Sequence, residues 1–302
     1  MSPTGVVCTT VCRLFGLSGG RERIAATFWL LEAPDSLAEQ SHREPDGTGL
    51  GAFLTDGRPY LAKQPVAAWA DRAFAREART VHSRTFVAHI RYASTGAVAP
   101  QNTHPFEQCG RLFAHNGVIG EIDRLEQALG SERALVRGET DSERFFALIS
   151  HEMERTRDIG SAIASAAQWI AGNLPVFALN CILITPTDLW ALRYPDVHEL
   201  YFLERAAGGS GEPAHLDHRG SAGEMHVQSA HLAAHPAVVV ASEPLDHDPG
   251  WRPLGSGELL HVDAGLHINI ARVVDSPPAR ALTLAELDPR AAASQQVTGG
   301  GT

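Results

Sequence analysis

At 302 residues, of which 44% are hydrophobic and 20% charged, the chain has the composition of a globular protein with a sizeable core. Its formal net charge of −10 argues against a nucleic-acid partner or an anionic membrane surface, because both bind to positively charged protein surfaces. No stretch approaches the about 20 apolar residues of a membrane span, and residues 1–11 lack the features of a secretory signal. The four cysteines form no CxxC pair, which fits a reducing compartment, so we expect a cytoplasmic protein.

The first part of the chain is predicted to be strands with one helix among them. Apolar runs bounded by turn residues predict strands at 12–19, 46–54, 58–63, 85–90 and 111–115. The Asp56-Gly57 turn makes the second and third of these a hairpin. Pro65 is expected to open a helix over 66–79, since proline suits a first helical turn.

Helices come next, and strands fill the rest of the chain. Helices are predicted at 123–129, from Asp141 onward with Thr140 or Asp141 as the N-cap, and at 159–171. Strands at hairpin spacing are predicted at 177–185, 188–194, 199–204, 237–242, 258–263 and 266–273, with a loop at 206–223. Helices in one segment with antiparallel strands on both sides predict a layered α+β sandwich in one domain.

Six short motifs follow one another along the chain: Cys12-Arg-Leu-Phe-Gly, Asp46-Gly-Thr-Gly, His89-Ile-Arg91, Asn102-Thr-His104-Pro-Phe, His115-Asn116-Gly117 and Asp141-Ser-Glu. Together they resemble the class II glutamine amidotransferases. Ser242-Glu-Pro-Leu, followed by Pro249-Gly-Trp, is similar to the stand-alone branch that includes the ergothioneine-pathway γ-glutamyl hydrolases. The resemblance implies a four-layer αββα sandwich, in which helical layers cover two antiparallel sheets, as in the N-terminal-nucleophile (Ntn) hydrolases.

The resemblance also implies a nucleophile. In this family the attacking cysteine is the first residue of the mature chain, and Cys12 matches it. An α-amino group has a pKa of ~7.7–8.0, so at neutral pH it can accept the thiol proton. The Asn116 side chain and the Gly117 backbone N–H match the donors that stabilise the oxyanion of the tetrahedral intermediate.

The same resemblance implies how glutamine is held. Arg91 matches the arginine that grips the α-carboxylate, and Asp141 matches the acid that receives the α-ammonium group. Ser94 and Thr95 are expected to shape the pocket, and His104 is expected to support it. The chemistry requires no cofactor and no metal.

Each of these residues also has an ordinary structural reading. A cysteine on an apolar strand is commonly a small buried hydrophobe, and Asn116-Gly117 taken alone indicates a turn. Arg91 alone would suit a surface ion pair, and Asp141 a helix cap. A set of histidines invites a metal hypothesis, but their spacing follows no zinc pattern: His215, His218, His226, His231 and His235.

The sequence departs from the family pattern at its start, because residues 1–11 precede Cys12 and a peptide nitrogen cannot act as the base. We interpret residues 1–11 as a pro-segment or as the product of a start assigned too early. The amidotransferase domain is then residues 12–275, and residues 276–302 form a C-terminal tail whose last part is expected to be disordered.

Three functions fit these observations. The first is a stand-alone hydrolase of glutamine or a γ-glutamyl compound. The second is a glutaminase subunit that passes ammonia to a separate synthase. The third is a non-catalytic sensor that keeps the pocket for binding glutamine.

Overall fold

The computed structural model of the chain describes residues 8–42, 46–91, 97–208, 218–219, 226–227 and 234–298. Within these residues, no helix is long and apolar enough to cross a membrane. The α-helices are α1 Leu37–Gln40, α2 Arg72–Thr80, α3 Ile122–Ala128, α4 Asp141–Thr156, α5 Ile159–Asn173 and α6 Pro289–Ala293. Shorter turns of 3₁₀-helix cover Ala68–Ala70, Pro100–Asn102, Gly130–Leu135 and Leu284–Glu286, and a π-helical turn covers Phe28–Glu32.

The strands of the first half are β1 Cys8–Val11, β2 Arg13–Ser18, β3 Ile24–Ala25, β4 Gly47–Phe53, β5 Pro59–Gln64, β6 His82–Ser83, β7 Thr85–Arg91, β8 Phe106–Gln108 and β9 Arg111–Ile119. Those of the second half are β10 Pro175–Ile184, β11 Leu189–Arg193, β12 Tyr201–Arg205, β13 His218–Arg219, β14 His226–Val227, β15 Ala237–Ala241, β16 Arg252–Pro253, β17 Glu258–Val262, β18 Ile268–Arg272, β19 Arg280–Ala281 and β20 Gln295–Thr298. The predicted α4 and α5 helices and the predicted strands are confirmed, with ends shifted by a few residues.

Two large sheets form the centre of the molecule. The first has the strand order β16-β12-β15-β2-β7-β4-β5, and the second has the order β18-β17-β11-β10-β9-β8. Every pairing along these two paths is antiparallel, as the hairpin spacing predicted. The short strand β19 pairs with β10 in parallel.

Period-2 alternation along the strands places one face of each sheet against helices and the other against the second sheet. On β2, Phe15 and Leu17 belong to the core beneath α1 and α2, whereas Leu14 belongs to the core between the sheets. Helices α4 and α5 cover the outer face of the second sheet through another apolar core. The layers are therefore helix, sheet, sheet and helix, which confirms the predicted αββα sandwich.

One local prediction is wrong, and one ordinary reading of a motif does not hold. The helix expected after Pro65 begins instead at Arg72, because the Asp71 carboxylate accepts the backbone N–H of Ala73 at 2.8 Å and caps α2 there. The Asn116-Gly117 pair, which taken alone indicates a turn, lies inside the long strand β9. Pairing with the ten-residue strand β10 carries β9 through that point.

The described ends of the chain meet next to Cys12. Strand β1 pairs with β20 in antiparallel fashion, from Cys8 opposite Thr298 to Val11 opposite Gln295. Asp288 caps α6, and Ala291 on that helix belongs to a small apolar cluster that includes Val118 of β9. The segment interpreted as a tail thus contributes a short helix and a strand beside the start of β2.

Candidate active site

The two sheets bring several of the predicted residues together around one buried cavity of about 20 Å³, a volume that suits about one ordered water. Its walls include five residues that the sequence singled out: Cys12, Arg91, His104, Asn116 and Gly117. Cys12 immediately precedes β2 and Arg91 ends the neighbouring strand β7, both in the first sheet. Asn116 and Gly117 lie on β9 of the second sheet. The cavity therefore lies between the sheets.

Cys12 is held by neighbours on several sides. The Asn116 Nδ2 donates to the Cys12 carbonyl oxygen at 2.8 Å. The next residue, Arg13, forms an ion pair with Glu243 at 2.9 Å, and the Leu14 N–H donates to the Ser242 hydroxyl at 2.9 Å. The Ser242-Glu243 motif thus fixes the start of β2, next to Cys12.

At Gly117, the backbone of β10 lies in close contact with β9. A Cβ atom at this position would lie 1.8 Å from the Ala178 carbonyl oxygen, so only glycine fits. Beside it, the Asn116 amide uses one N–H for the Cys12 carbonyl, which leaves a second N–H on the same nitrogen. The Asn116 Oδ1 is buried and has no hydrogen-bond partner among the described residues.

Two opposite charges are buried at this site. Arg91 is 3% exposed and donates to the Ala97 carbonyl at 3.3 Å. Burial lowers its pKa, while the charges of Cys12 and Asp46 oppose that effect. Asp141 is 1% exposed, and its carboxylate accepts the backbone N–H groups of Ile119 at 2.9 Å and Ser142 at 3.0 Å.

Three buried histidines line the cavity as well. Burial lowers the pKa of His89 to about 3 and that of His104 well below its usual value, so both rings are neutral at pH 7. The two rings lie 4.2 Å apart between centroids, and none of their nitrogens has a hydrogen-bond partner among the described residues. His115 contacts the Ala178 carbonyl through Nε2 at 3.2 Å, so Nε2 carries the proton and Nδ1 accepts from the Ser142 hydroxyl at 2.9 Å.

Some predicted residues lie outside the cavity wall, and some wall residues were not predicted. Asp141 lies between Thr140 and Ser142, which both line the cavity. Ser94 and Thr95 lie outside the described residues. The unpredicted wall residues are His89, His115, Thr140, Ser142 and Gln295. The histidines belong to the recognised motifs, whereas no sequence signal connects Gln295 with Cys12.

The histidine-rich segment supplies no metal site in the described part of the chain, where no group of three or more His, Cys, Asp or Glu side chains could hold an ion. His215 and His231 lie outside the described residues, while His218 and His226 belong to the β13–β14 pair.

Solved structures of other proteins share this fold. A glutamine aminotransferase class-II domain protein from Silicibacter pomeroyi aligns with a TM-score of 0.57 and 21% identity, over 87% of this chain and 100% of the other. The glutamine phosphoribosylpyrophosphate amidotransferase of B. subtilis aligns with a TM-score of 0.59 and 18% identity, over 88% of this chain and 50% of the other. The fold is that of the Ntn hydrolases.

The sequence comparison identifies the family. The sequence model of the class II glutamine amidotransferases matches residues 11–284, and the chain belongs to this family. An uncharacterised protein of Methanocaldococcus jannaschii is 29% identical over 238 residues, which is 75% of this chain. The chain spans 63% of the length of that relative.

Proposed function

We propose that the protein hydrolyses the side-chain amide of glutamine, or the γ-amide of a γ-glutamyl compound, through a thioester on Cys12. One observation carries this proposal: Cys12 shares a single buried cavity with the Arg91 guanidinium, the Asn116 amide and the Gly117 backbone. Membership of a glutamine-using family supports glutamine or a close derivative as the substrate.

The reaction requires Cys12 to carry a free α-amino group. That amine takes the proton from the thiol, and the sulfur attacks the carbonyl carbon of the substrate amide. The resulting tetrahedral intermediate collapses when the C–N bond breaks, and the proton passes from the α-amine to the departing nitrogen, which leaves as ammonia or an amine. Water, deprotonated by the same α-amine, then attacks the thioester and releases the γ-carboxylate and the thiol.

Two donors act on the oxyanion of each tetrahedral intermediate. The second N–H of the Asn116 amide and the backbone N–H of Gly117 supply them, because both residues line the cavity beside Cys12. The loss of one such donor typically costs ~2.7–4 kcal/mol of transition-state stabilisation.

The charged end of the substrate binds to the buried charges. Arg91 offers a planar fork for the α-carboxylate, and Asp141 offers a carboxylate for the α-ammonium group. Both side chains are almost fully buried, so water competes little for either charge. Holding that end orients the amide toward Cys12.

The mature chain begins at Cys12 in this proposal, either because residues 1–11 are removed or because translation starts next to Cys12. Strand β1 ends at Val11, so while residues 1–11 are attached the Cys12 nitrogen is part of a peptide bond and cannot act as the base.

A second function is ammonia supply to a separate synthase. The comparison with the B. subtilis amidotransferase favours it, because the region similar to this chain makes up only 50% of that protein and the other half has no counterpart in the alignment. In that case, glutamate release would rise when the synthase and its acceptor are added.

The decisive experiment compares the 302-residue protein with a form whose synthesis starts at Met-Cys12, each checked by intact mass. We expect glutamate release only from the form whose mass shows an exposed Cys12. Cys12→Ala should abolish release, whereas Cys109→Ser, which alters an exposed free thiol, should not.

Activity in the 302-residue protein with its first residues intact would overturn the N-terminal role of Cys12. Inactivity of the exposed-Cys12 form toward glutamine and γ-glutamyl amides, combined with measurable glutamine binding, would instead support the sensor.

A further inference from the structure

Lys63 is the only lysine in a chain whose lysine and arginine residues number 25. It lies on β5, the edge strand of the first sheet, directly opposite Gly49 of β4. Its half-buried side chain points away from bulk water toward the segment that carries His104. Because the other residues in that count are all arginines, we looked for contacts of Lys63 that suit a lysine.

The Lys63 ammonium binds the backbone on both sides of His104. Its Nζ donates to the Thr103 carbonyl at 2.8 Å and to the Pro105 carbonyl at 3.3 Å. The same Nζ lies 5.2 Å from the centroid of the Phe106 ring, which is a cation–π distance. These contacts attach one compact cation to three of the four residues from 103 to 106.

The same segment also lies against the sheet through a close backbone contact with β4. A Cβ atom on Gly49 would lie 1.9 Å from the His104 carbonyl oxygen, so glycine lets this segment lie directly on β4. Phe106 also contacts the His104 ring at 4.7 Å between centroids, and His104 in turn contacts His89. The contacts of Lys63 therefore extend to two rings in the cavity wall.

We propose that Lys63 is a positioning residue for the chemistry at Cys12: its ammonium group fixes the backbone of residues 103–105 and thereby holds His104 in the cavity wall. This inference rests on the proposed function, because it assigns Lys63 to the same site. An arginine at this position would carry the charge on a larger planar group, whereas the compact ammonium directs rotatable donors at two nearby carbonyls.

The charge state of Lys63 is open to control by pH. Burial lowers its pKa to about 8, an effect that the Glu143 carboxylate of α4 opposes and the Arg137 cation reinforces. On the facing segment, the neutral ring of His104 adds no charge. As the pH rises through about 8, the ammonium becomes an amine, and its bonds to the Thr103 and Pro105 carbonyls lose their charge assistance.

The test uses the form that begins at Cys12, with Lys63→Arg, Lys63→Met and, as a control for loss of one exposed cation, Arg79→Met. Glutamate release is measured from about pH 6 to about pH 10. We expect an alkaline decline near pH 8 in the unsubstituted enzyme, its absence in Lys63→Arg, and a roughly 10- to 100-fold lower kcat at all pH values in Lys63→Met. Arg79→Met should keep the unsubstituted profile.

A second readout is independent of activity. With ¹³Cε-lysine, the protein gives one lysine signal, and we expect that signal to titrate near pH 8 rather than at the usual ~10.4. The His104 ring signal, assigned by its loss in His104→Gln, should move in Lys63→Met and stay in place in Arg79→Met.

The outcomes separate the two proposals. If no form releases glutamate, the proposed function fails, and a displaced His104 signal in Lys63→Met still supports the role of Lys63 in holding the wall. An unchanged kcat in Lys63→Met together with an unmoved His104 signal would overturn the inference, whereas a lysine signal that titrates near ~10.4 would overturn its control by pH.

Discussion

His89 and His104 are buried, neutral and in mutual contact beside Cys12. Neither ring finds a hydrogen-bond partner among the described residues, so both nitrogens of each are desolvated without compensation. Protonation would add a positive charge next to the Arg91 guanidinium, which further disfavours it. At this place in the cavity wall, the neutral form of each ring is therefore favoured over the imidazolium ion.

Acid should therefore destabilise the fold through His89. Its folded pKa is about 3 and its unfolded pKa is about 6.5, so between these values the unfolded chain binds a proton that the folded chain does not. The free energy of unfolding then falls as the pH falls through this window. Between pH 7 and pH 5, the free energy of unfolding measured with urea should fall by about 2 kcal/mol less in His89→Gln than in the unsubstituted protein. His247→Gln, at an exposed position, should show the same fall as the unsubstituted protein. An equal fall in the two variants would contradict the prediction.

Helix α4 illustrates how an element supports the site. Its N-cap is Thr140, whose hydroxyl accepts the Glu143 backbone N–H at 3.2 Å. Thr140 and Ser142 line the cavity on either side of Asp141, so the first turn of this helix sets the position of the buried carboxylate. The cap thus contributes both to helix stability and to the geometry of the site.

Thr140→Ala should lower both stability and glutamate release. Loss of an N-cap costs about 1 kcal/mol of unfolding free energy, and the freed first turn displaces Asp141. Asp158, whose carboxylate accepts the Ser161 N–H at 2.7 Å, caps α5 and does not line the cavity. Asp158→Ala should therefore cost similar stability, measured by urea unfolding, but leave kcat/KM intact. If both variants lost activity equally, the cap would act through general stability alone.

Element types were predictable from sequence where the pattern is local. The periodicity of α4 and the Asp56-Gly57 turn each depend on nearby residues, and both predictions are confirmed. The start of α2 was missed because Pro65 competes as a start signal with the capping carboxylate of Asp71. The path of β9 through Asn116-Gly117 depends on pairing with β10, more than 50 residues later, and a local turn signal cannot reveal that.

The two sheets pack against each other through a shared apolar core. Leu14, Leu112 and Ile182 belong to the core between them, and two further cores lie beneath the helical layers. The residues of the cavity come from both sheets, so the distance between Cys12 and Asn116 depends on how the sheets pack. The sequence motifs placed these residues in one site through a family likeness; neither spacing nor periodicity could have done so.

Ile182→Ala should test how much the core between the sheets contributes to stability. Removing a fully buried side chain from the inter-sheet core leaves a cavity and typically costs 2–5 kcal/mol of unfolding free energy. Leu284→Ala, at a position that is 38% exposed, should cost far less in the same urea titration. Equal costs would mean that the inter-sheet core relaxes around the deletion.

The pairing of β1 with β20 has a consequence for the proposed maturation. A cut before Cys12 would turn residues 8–11 from a covalently tethered strand into a ligand, held by non-covalent contacts such as the pairing with residues 295–298. Tethered, the strand occupies that edge regardless of protein concentration; once detached, its occupancy follows mass action. A synthetic peptide of residues 1–11, added to the enzyme that begins at Cys12, should then inhibit in a dose-dependent and reversible way, and dilution should restore activity.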